Sequence, residues 1–215
     1  MRYLDLLTAL FATVLLVSNV ASTKLVVLGP FTFDGGTLLF PLAYIFGDVL
    51  TEVYGYRKSR RVIWIGFFAL LLATLTFQAV AHLPAPPDAE SQRFGEAFGL
   101  LLGLTPRIVL GSLLAYFLGE FANAYVLAKL KVRTEGRFFW LRALASTLVG
   151  QGLDTGVSLL AAFSGVFPKG VLLAVFLSNY AFKLGVEALM LPFTSAVVGF
   201  LKRAEGMDAY DRDTD

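Results

Sequence analysis

Cysteine is absent from this sequence, and histidine occurs once, as His82. Without thiols there are no disulfides, no zinc-thiolate sites and no cysteine nucleophile, and a single imidazole excludes any site built from several. Charge is scarce as well. Asp, Glu, Lys and Arg make up 16% of the chain, against about 25% in soluble domains, and a net charge of +2 is too small to point to nucleic acid as a partner. What fills the space is apolar: 57% of residues are hydrophobic, 20 of them Phe, and mean hydropathy is +0.71. These figures argue against a soluble globular enzyme.

The apolar residues are gathered into six stretches, over residues 3–23, 37–54, 62–83, 107–130, 141–163 and 171–200. Each approaches or exceeds the roughly 20 residues that cross a hydrocarbon core as a helix. None shows the two-residue alternation of a barrel strand, and helices close their own backbone hydrogen bonds in lipid. The sequence therefore predicts an all-α polytopic membrane protein with the bilayer as its surroundings. Six transmembrane helices make up one domain over 1–203, and an acidic tail over 204–215 is expected to be disordered. The first stretch imitates a signal peptide, but Asp5 follows Arg2 closely and Ser18, Asn19 and Ser22 form no clean cleavage site, so it reads as a retained helix.

Orientation follows from Lys and Arg. Arg2, the run Arg57-Lys58-Ser59-Arg60-Arg61, then Lys129, Lys131, Arg133, Arg137 and Arg142, then Lys202 and Arg203 fall on one side; Lys24, Arg93, Arg107 and Lys169 fall on the other. The positive-inside bias places both termini in the cytoplasm. Two connections are more than linkers. Residues 25–36 are β-branched and aromatic around Gly29-Pro30, which suits a short hairpin or an extended re-entrant piece. After a Pro-rich link over 84–87, residues 93–102 suit a short interfacial helix carrying Phe94 and Phe98.

An ionisable group inside a span is costly, so it marks a site or an internal pair. Asp48 and Glu52 lie four apart on the second span with Tyr44 and Thr51 beside them; Glu120 and Asn123 lie on the fourth, Gln151 and Asp154 on the fifth, and Asn179, Lys183 and Glu187 at four-residue steps on the last. Ser18 and Asn19 add to the first. Such stripes can face a common cavity. The five acids Asp48, Glu52, Glu120, Asp154 and Glu187 outnumber the available cations, Lys183 and, at the edge, Lys24. A strongly anionic ligand is thereby disfavoured and a solute rich in N–H donors favoured. Lys183 with Glu187 also suits a buried packing pair, and Asn123, Gln151 and Asn179 suit hydrogen bonding between helices. Pro41, Gly47, Gly185 and Pro192 are positions where a span can unwind.

The runs Ser18-Asn19-Val20-Ala21-Ser22-Thr23-Lys24, Gly35-Gly36 and Phe40-Pro41-Leu42-Ala43-Tyr44-Ile45-Phe46-Gly47-Asp48-Val49-Leu50-Thr51-Glu52-Val53-Tyr54-Gly55-Tyr56 resemble the queuosine precursor transporter family, also called the vitamin uptake transporter family. The likeness continues through Arg60-Arg61-Val62-Ile63-Trp64, Gln151-Gly152-Leu153-Asp154-Thr155 and Lys183. Ser22-Thr23 departs from the Ala-Asn pair expected before the Lys. The resemblance implies a six-span inner-membrane importer chiefly of 7-cyano-7-deazaguanine, and also of its 7-aminomethyl relative, that is not an enzyme and uses no cofactor or metal. A deazaguanine offers N–H and amine donors on one edge, a carbonyl acceptor and two flat faces. On this reading Asp48 or Glu52 accepts the donor edge, Lys183, Asn19 or Gln151 donates to the carbonyl or nitrile, and Tyr44 or Phe40 stacks on the ring. Lys24, Asp154 and Asn179 complete the candidate substrate site, while Glu120, Asp154 and Glu187 are candidates for proton coupling in a secondary transporter.

Two rival readings differ in kind. One is a substrate-binding membrane subunit that needs a separate energising module. The first span lacks an Ala-x-x-x-Ala docking pattern, although that spacing occurs at Ala124–Ala128 in the fourth. The other is an intramembrane enzyme with Asp48 and Asp154 as an acid pair, against which stands the absence of a His cluster, a Cys nucleophile or a Gly-x-Ser-x-Gly turn.

Overall fold

An apolar segment in lipid satisfies its backbone by closing each N–H onto its own carbonyls, and all six apolar stretches do so. The computed structural model describes residues 1–28, 31–103, 106–165 and 168–212. Within them α1 spans Leu4–Ala21, α2 Phe40–Tyr54, α3 Tyr56–Ala81, α4 Ala89–Leu102, α5 Pro106–Arg133, α6 Phe139–Phe163 and α7 Lys169–Glu205. Between α1 and α2, β1 (Leu25–Leu28) pairs antiparallel with β2 (Phe31–Asp34), Leu25 opposite Asp34. The expected hairpin is therefore formed, with Gly29-Pro30 outside the described residues. A short helix is found where one was expected, as α4, and it begins earlier than 93 because Asp88 caps it by accepting the Ser91 N–H at 2.8 Å. It buries none of its residues and exposes Phe94 and Leu100.

By length and composition α1, α3, residues 108–133 of α5, and α7 can each cross a membrane. Of the two remaining stretches, α6 is interrupted by Gln151 and Asp154, and α2 has only 15 residues. α2 is packed against α1, α3, α5 and α7. From Tyr44 to Tyr54 nearly every side chain on it is buried. A helix enclosed on all sides needs no lipid-facing stripe, so the one-sided pattern expected around Asp48 and Glu52 is replaced by burial all round. Gly55, at φ 85°, turns the chain sharply from α2 into α3. α3 consequently starts at Tyr56, and Arg57, Lys58, Arg60 and Arg61 occupy its first turns instead of a loop.

Pro41 sits in the first turn of α2, where a missing N–H costs nothing, and α7 runs unbroken through Gly185 and Pro192. The unwinding expected at these positions is absent. Ala124 and Ala128 face the core at 2% and 3% exposure, so they offer no outer docking face.

α5 and α6 form the closest helix pair. A Cβ at Gly150 would lie 2.7 Å from Asn123 Cβ and 2.8 Å from the Gly119 carbonyl oxygen; one at Gly119 would lie 2.8 Å from Asp154 Cβ. Small residues here let the backbones meet, and this brings Glu120 and Asp154 to one place. Gly150→Val is expected to cost about 1 to 3 kcal/mol through overpacking and to lower the melting temperature in detergent. Gly185→Ala, whose added Cβ meets nothing within 4 Å, should change it little.

Candidate functional site

Six helices converge on a cavity of about 230 Å³. α1 contributes Ser18 and Asn19, with Ser22 just past its end; α2 contributes Ala43 and Tyr44; α3 contributes Leu70; α5 contributes Ser112, Tyr116, Gly119 and Glu120; α6 contributes Gln151, Asp154 and Ser158; α7 contributes Lys183; and Gly36 joins them from the turn before α2. These positions run from the middle of each helix toward the hairpin, away from the chain termini. Lys183 Nζ donates to Asp154 Oδ2 at 2.9 Å and to Thr155 Oγ1 at 3.3 Å, tying α7 to α6. Gly47 leaves room for Glu120, whose Oε2 would lie 3.3 Å from a Cβ there. Tyr116 donates to the Ile63 carbonyl at 3.1 Å, which holds its ring at the wall. The buried Gln151 Oε1 has no hydrogen-bond partner. The cavity thus presents two carboxylates, one ammonium, amides, hydroxyls and aromatic faces.

Of the residues predicted from sequence, Asn19, Tyr44, Glu120, Gln151, Asp154 and Lys183 meet at this cavity. Lys24 does not; its side chain is exposed, and its carbonyl accepts the Gly35 N–H at 2.8 Å. Asn179 is exposed one turn from Lys183, off the cavity wall. The Phe40 side chain lies outside what the structure describes. Asp48 is fully buried behind the wall and accepts Asn123 Nδ2 at 3.1 Å. Ser112, Tyr116 and Ser158 were not anticipated, since hydroxyls in apolar helices carry no distinctive spacing.

Glu52 requires a correction. Its carboxylate is 0% exposed and already occupied: Arg142 donates to Oε2 at 2.6 Å and to Oε1 at 3.1 Å, and Lys202 donates to Oε1 at 2.7 Å. Lys131, 3.6 Å from Oε1, donates to the Glu52 carbonyl at 2.6 Å. Both carboxylate oxygens are engaged by cations and neither lines the cavity. Arg142 also donates to the carbonyls of Arg137 and Gly136, fixing the α5–α6 connection in which Glu135 and Phe138 adopt positive φ. The cations were visible in the sequence as orientation residues, but their linear placement in loops hid their reach.

The acidic tail expected to be disordered is drawn into the same cluster. Glu205 ends α7, and its carboxylate accepts the N–H groups of Arg2 and Tyr3 at 2.9 and 2.7 Å, an anion set against the start of α1. Asp208 pairs with Lys131 and, at 2.9 Å, with Lys202. Ala209 N–H donates to the Val53 carbonyl at 3.2 Å, Asp211 accepts the Tyr56 N–H at 2.9 Å, and Lys131 lies 4.7 Å from the Tyr210 ring centroid. Charge complementarity with lysines on α5 and α7 accounts for this path.

Residues 34–197 match the profile of a family described as "Putative vitamin uptake transporter". The chain is 35% identical over 188 residues to "Probable queuosine precursor transporter" of Bacillus subtilis (strain 168), covering 86% of this chain and 80% of that protein. It is 26% identical to "Queuosine precursor transporter" of Escherichia coli (strain K12), covering 77% and 73%. No solved structure matches it.

Removing one member of a buried ion network strands the others, at a cost of about 3 to 5 kcal/mol, whereas replacing the whole pair by apolar groups is far milder. Glu52→Leu and Arg142→Leu are each expected to lower thermal stability in detergent sharply, and the double variant to recover much of the loss. Burial opposes the charge on Asp208, but hydrogen bonds from Lys131 and Lys202, and their charges, outweigh it and hold the carboxyl below its ordinary value. A carboxylate shifted down stabilises docking above its unfolded pKa, about 3.9, and the contribution is lost as pH falls through the lower folded value. Hydrogen exchange over 207–211 should therefore stay slow at pH 5 and quicken only below about pH 4.

Proposed function

The chain belongs to the vitamin uptake transporter family, and from that premise we propose that it is a secondary transporter importing queuosine precursors, 7-cyano-7-deazaguanine and also its 7-aminomethyl form. It is a multi-pass membrane protein and a transporter, not an enzyme. On our reading it crosses the inner membrane six times, with α2 and α6 completing the spans, and keeps both termini in the cytoplasm. The cations of α3, α5, α6 and α7 that gather at the end shared by the termini support that orientation.

The observation that carries the proposal is the pairing, across one small cavity, of an uncommitted carboxylate with an ammonium. Among the described residues no Lys, Arg or His forms an ion pair with Glu120, whereas Asp154 is held by Lys183. Glu120 can accept both the ring N–H and the exocyclic amine of a guanine-like edge. Lys183, Gln151 or Asn19 donates to the carbonyl or nitrile, and Tyr44 or Tyr116 lies against the flat face. This gives to Glu120 the part that sequence reasoning divided between Asp48 and Glu52. The volume of about 230 Å³ falls below the roughly 300 to 1,000 Å³ typical of drug-sized ligands. It suits a free base better than a nucleotide, and the acidic lining repels phosphate.

Uptake is tested in cells that cannot make the precursor, with queuosine in tRNA as the readout after each compound is supplied. Wild-type chain should restore it; Glu120→Gln and Lys183→Met should each reduce it at least tenfold, and Asn179→Ala should not. Full uptake with Glu120→Gln removes Glu120 from the site, and no uptake by wild type removes the substrate.

A further inference from the structure

Cations satisfy Glu52 and Asp154, and Glu120 opens onto the cavity. Two carboxyls remain. Asp48 and Glu187 are 0% and 1% exposed, line no part of the cavity, and form no ion pair among the described residues. Asp48 Oδ1 accepts from Asn123, but no N–H or O–H reaches Asp48 Oδ2 or either oxygen of Glu187. The two carboxyls lie within hydrogen-bonding reach of each other. Isolated carboxylates are not tolerated in such surroundings, and two that touch cannot both ionise. One proton between them satisfies both, the neutral acid donating to its anionic neighbour.

The surroundings supply no substitute for that proton. From α5, Asn123 faces Asp48 with Glu120 nearby; from α2 itself come Tyr44 and Glu52; on α6, Asp154 acts on Tyr44 and is held by Lys183, one turn along α7 from Glu187. α1 turns Leu7 and Phe11 inward, and α3 turns Val62, Ile63 and Gly66 inward, all uncharged. Among the described residues no group of three or more His, Asp or Glu could hold a metal cation.

We propose that Asp48 and Glu187 form the proton-binding site that drives transport, one helical turn beyond the substrate cavity and separate from it. Asp48 lies between Tyr44 at the cavity and Glu52 in the ion cluster, and Glu187 lies between Lys183 at the cavity and Lys202 in the same cluster. The pair therefore joins the two helices, α2 and α7, that carry residues of both. With the proton bound, the carboxyls hold α2 against α7. Its release to the terminal side leaves both carboxyls ionised only as water reaches them, so loss of the proton goes with parting of α2 and α7 at the end where substrate leaves.

This inference rests on the transport reading, and reconstituted liposomes separate the two. Purified chain is assayed for counterflow of 7-cyano-7-deazaguanine without a gradient, for accumulation under an inside-alkaline pH gradient, and for accumulation under a sodium gradient at equal pH. Wild type should show counterflow and at least tenfold pH-driven accumulation. Glu187→Gln and Asp48→Asn should keep counterflow within about threefold while accumulation falls to the level without a gradient. Absent counterflow in wild type defeats the transport reading itself. Counterflow with accumulation that ignores pH or follows sodium overturns the proton site, as does loss of counterflow in folded variants. Infrared spectra of the wild-type protein, which need no transport, should show a protonated carboxyl band at neutral pH that either variant removes; its absence from wild type also overturns the proposal.

Discussion

The carboxylate of Glu52 holds one end of the molecule together. Placed on an enclosed helix with no route to water, it must be met by cations, and those come from three other helices: Arg142 on α6, Lys202 on α7 and Lys131 on α5. An ion cluster of this kind adds little net stability over apolar packing, because desolvation consumes most of the attraction. Its value lies in selectivity. Any arrangement that moves one helix by a turn leaves a buried charge without its partner, so the cluster admits a single alignment of α2, α5, α6 and α7. Those four helices supply most of the cavity wall, which inherits that alignment.

Along the molecule the charges set between the helices fall into three layers. Nearest the hairpin, Glu120, Asp154 and Lys183 surround open space; below them Asp48 meets Glu187; at the terminal end Glu52 and Asp208 meet their cations. α2 and α7 pass through all three. The layers differ in what neutralises the acids, and this sorts their tasks. Acids beside an ammonium and a cavity can receive a ligand, acids beside each other can exchange a proton, and acids saturated by Arg and Lys can only hold or release neighbouring helices.

The helices and the hairpin were legible because their signals are local: long apolar runs for the first, β-branched residues around Gly-Pro for the second. Six of the cavity residues were legible too, since a polar group in an apolar run is conspicuous. The place of Glu52 was not. Its spacing from Asp48 suggested a shared face, but α2 is surrounded, and on an enclosed helix a shared face means nothing without knowing which neighbour covers it. Lys131, Arg142 and Lys202 were read by position between spans, whereas α5, α6 and α7 extend past the apolar runs and carry these side chains inward. The tail misled for a related reason: acidic composition predicts solvation only where no basic surface lies within reach, and that surface is assembled from distant parts of the chain.

Glu205 and Asp208 place a demand on biosynthesis. Lys131 and Arg142 are made well before Lys202 and Asp208, so the cluster around Glu52 stays incomplete through most of translation. The start of α1 likewise waits for a carboxylate some 200 residues later. A nascent chain lacking residues 202–211 has the Glu52–Arg142 pair but not the contacts of Lys202, Glu205 and Asp208, so the terminal end closes only once its last helix is complete.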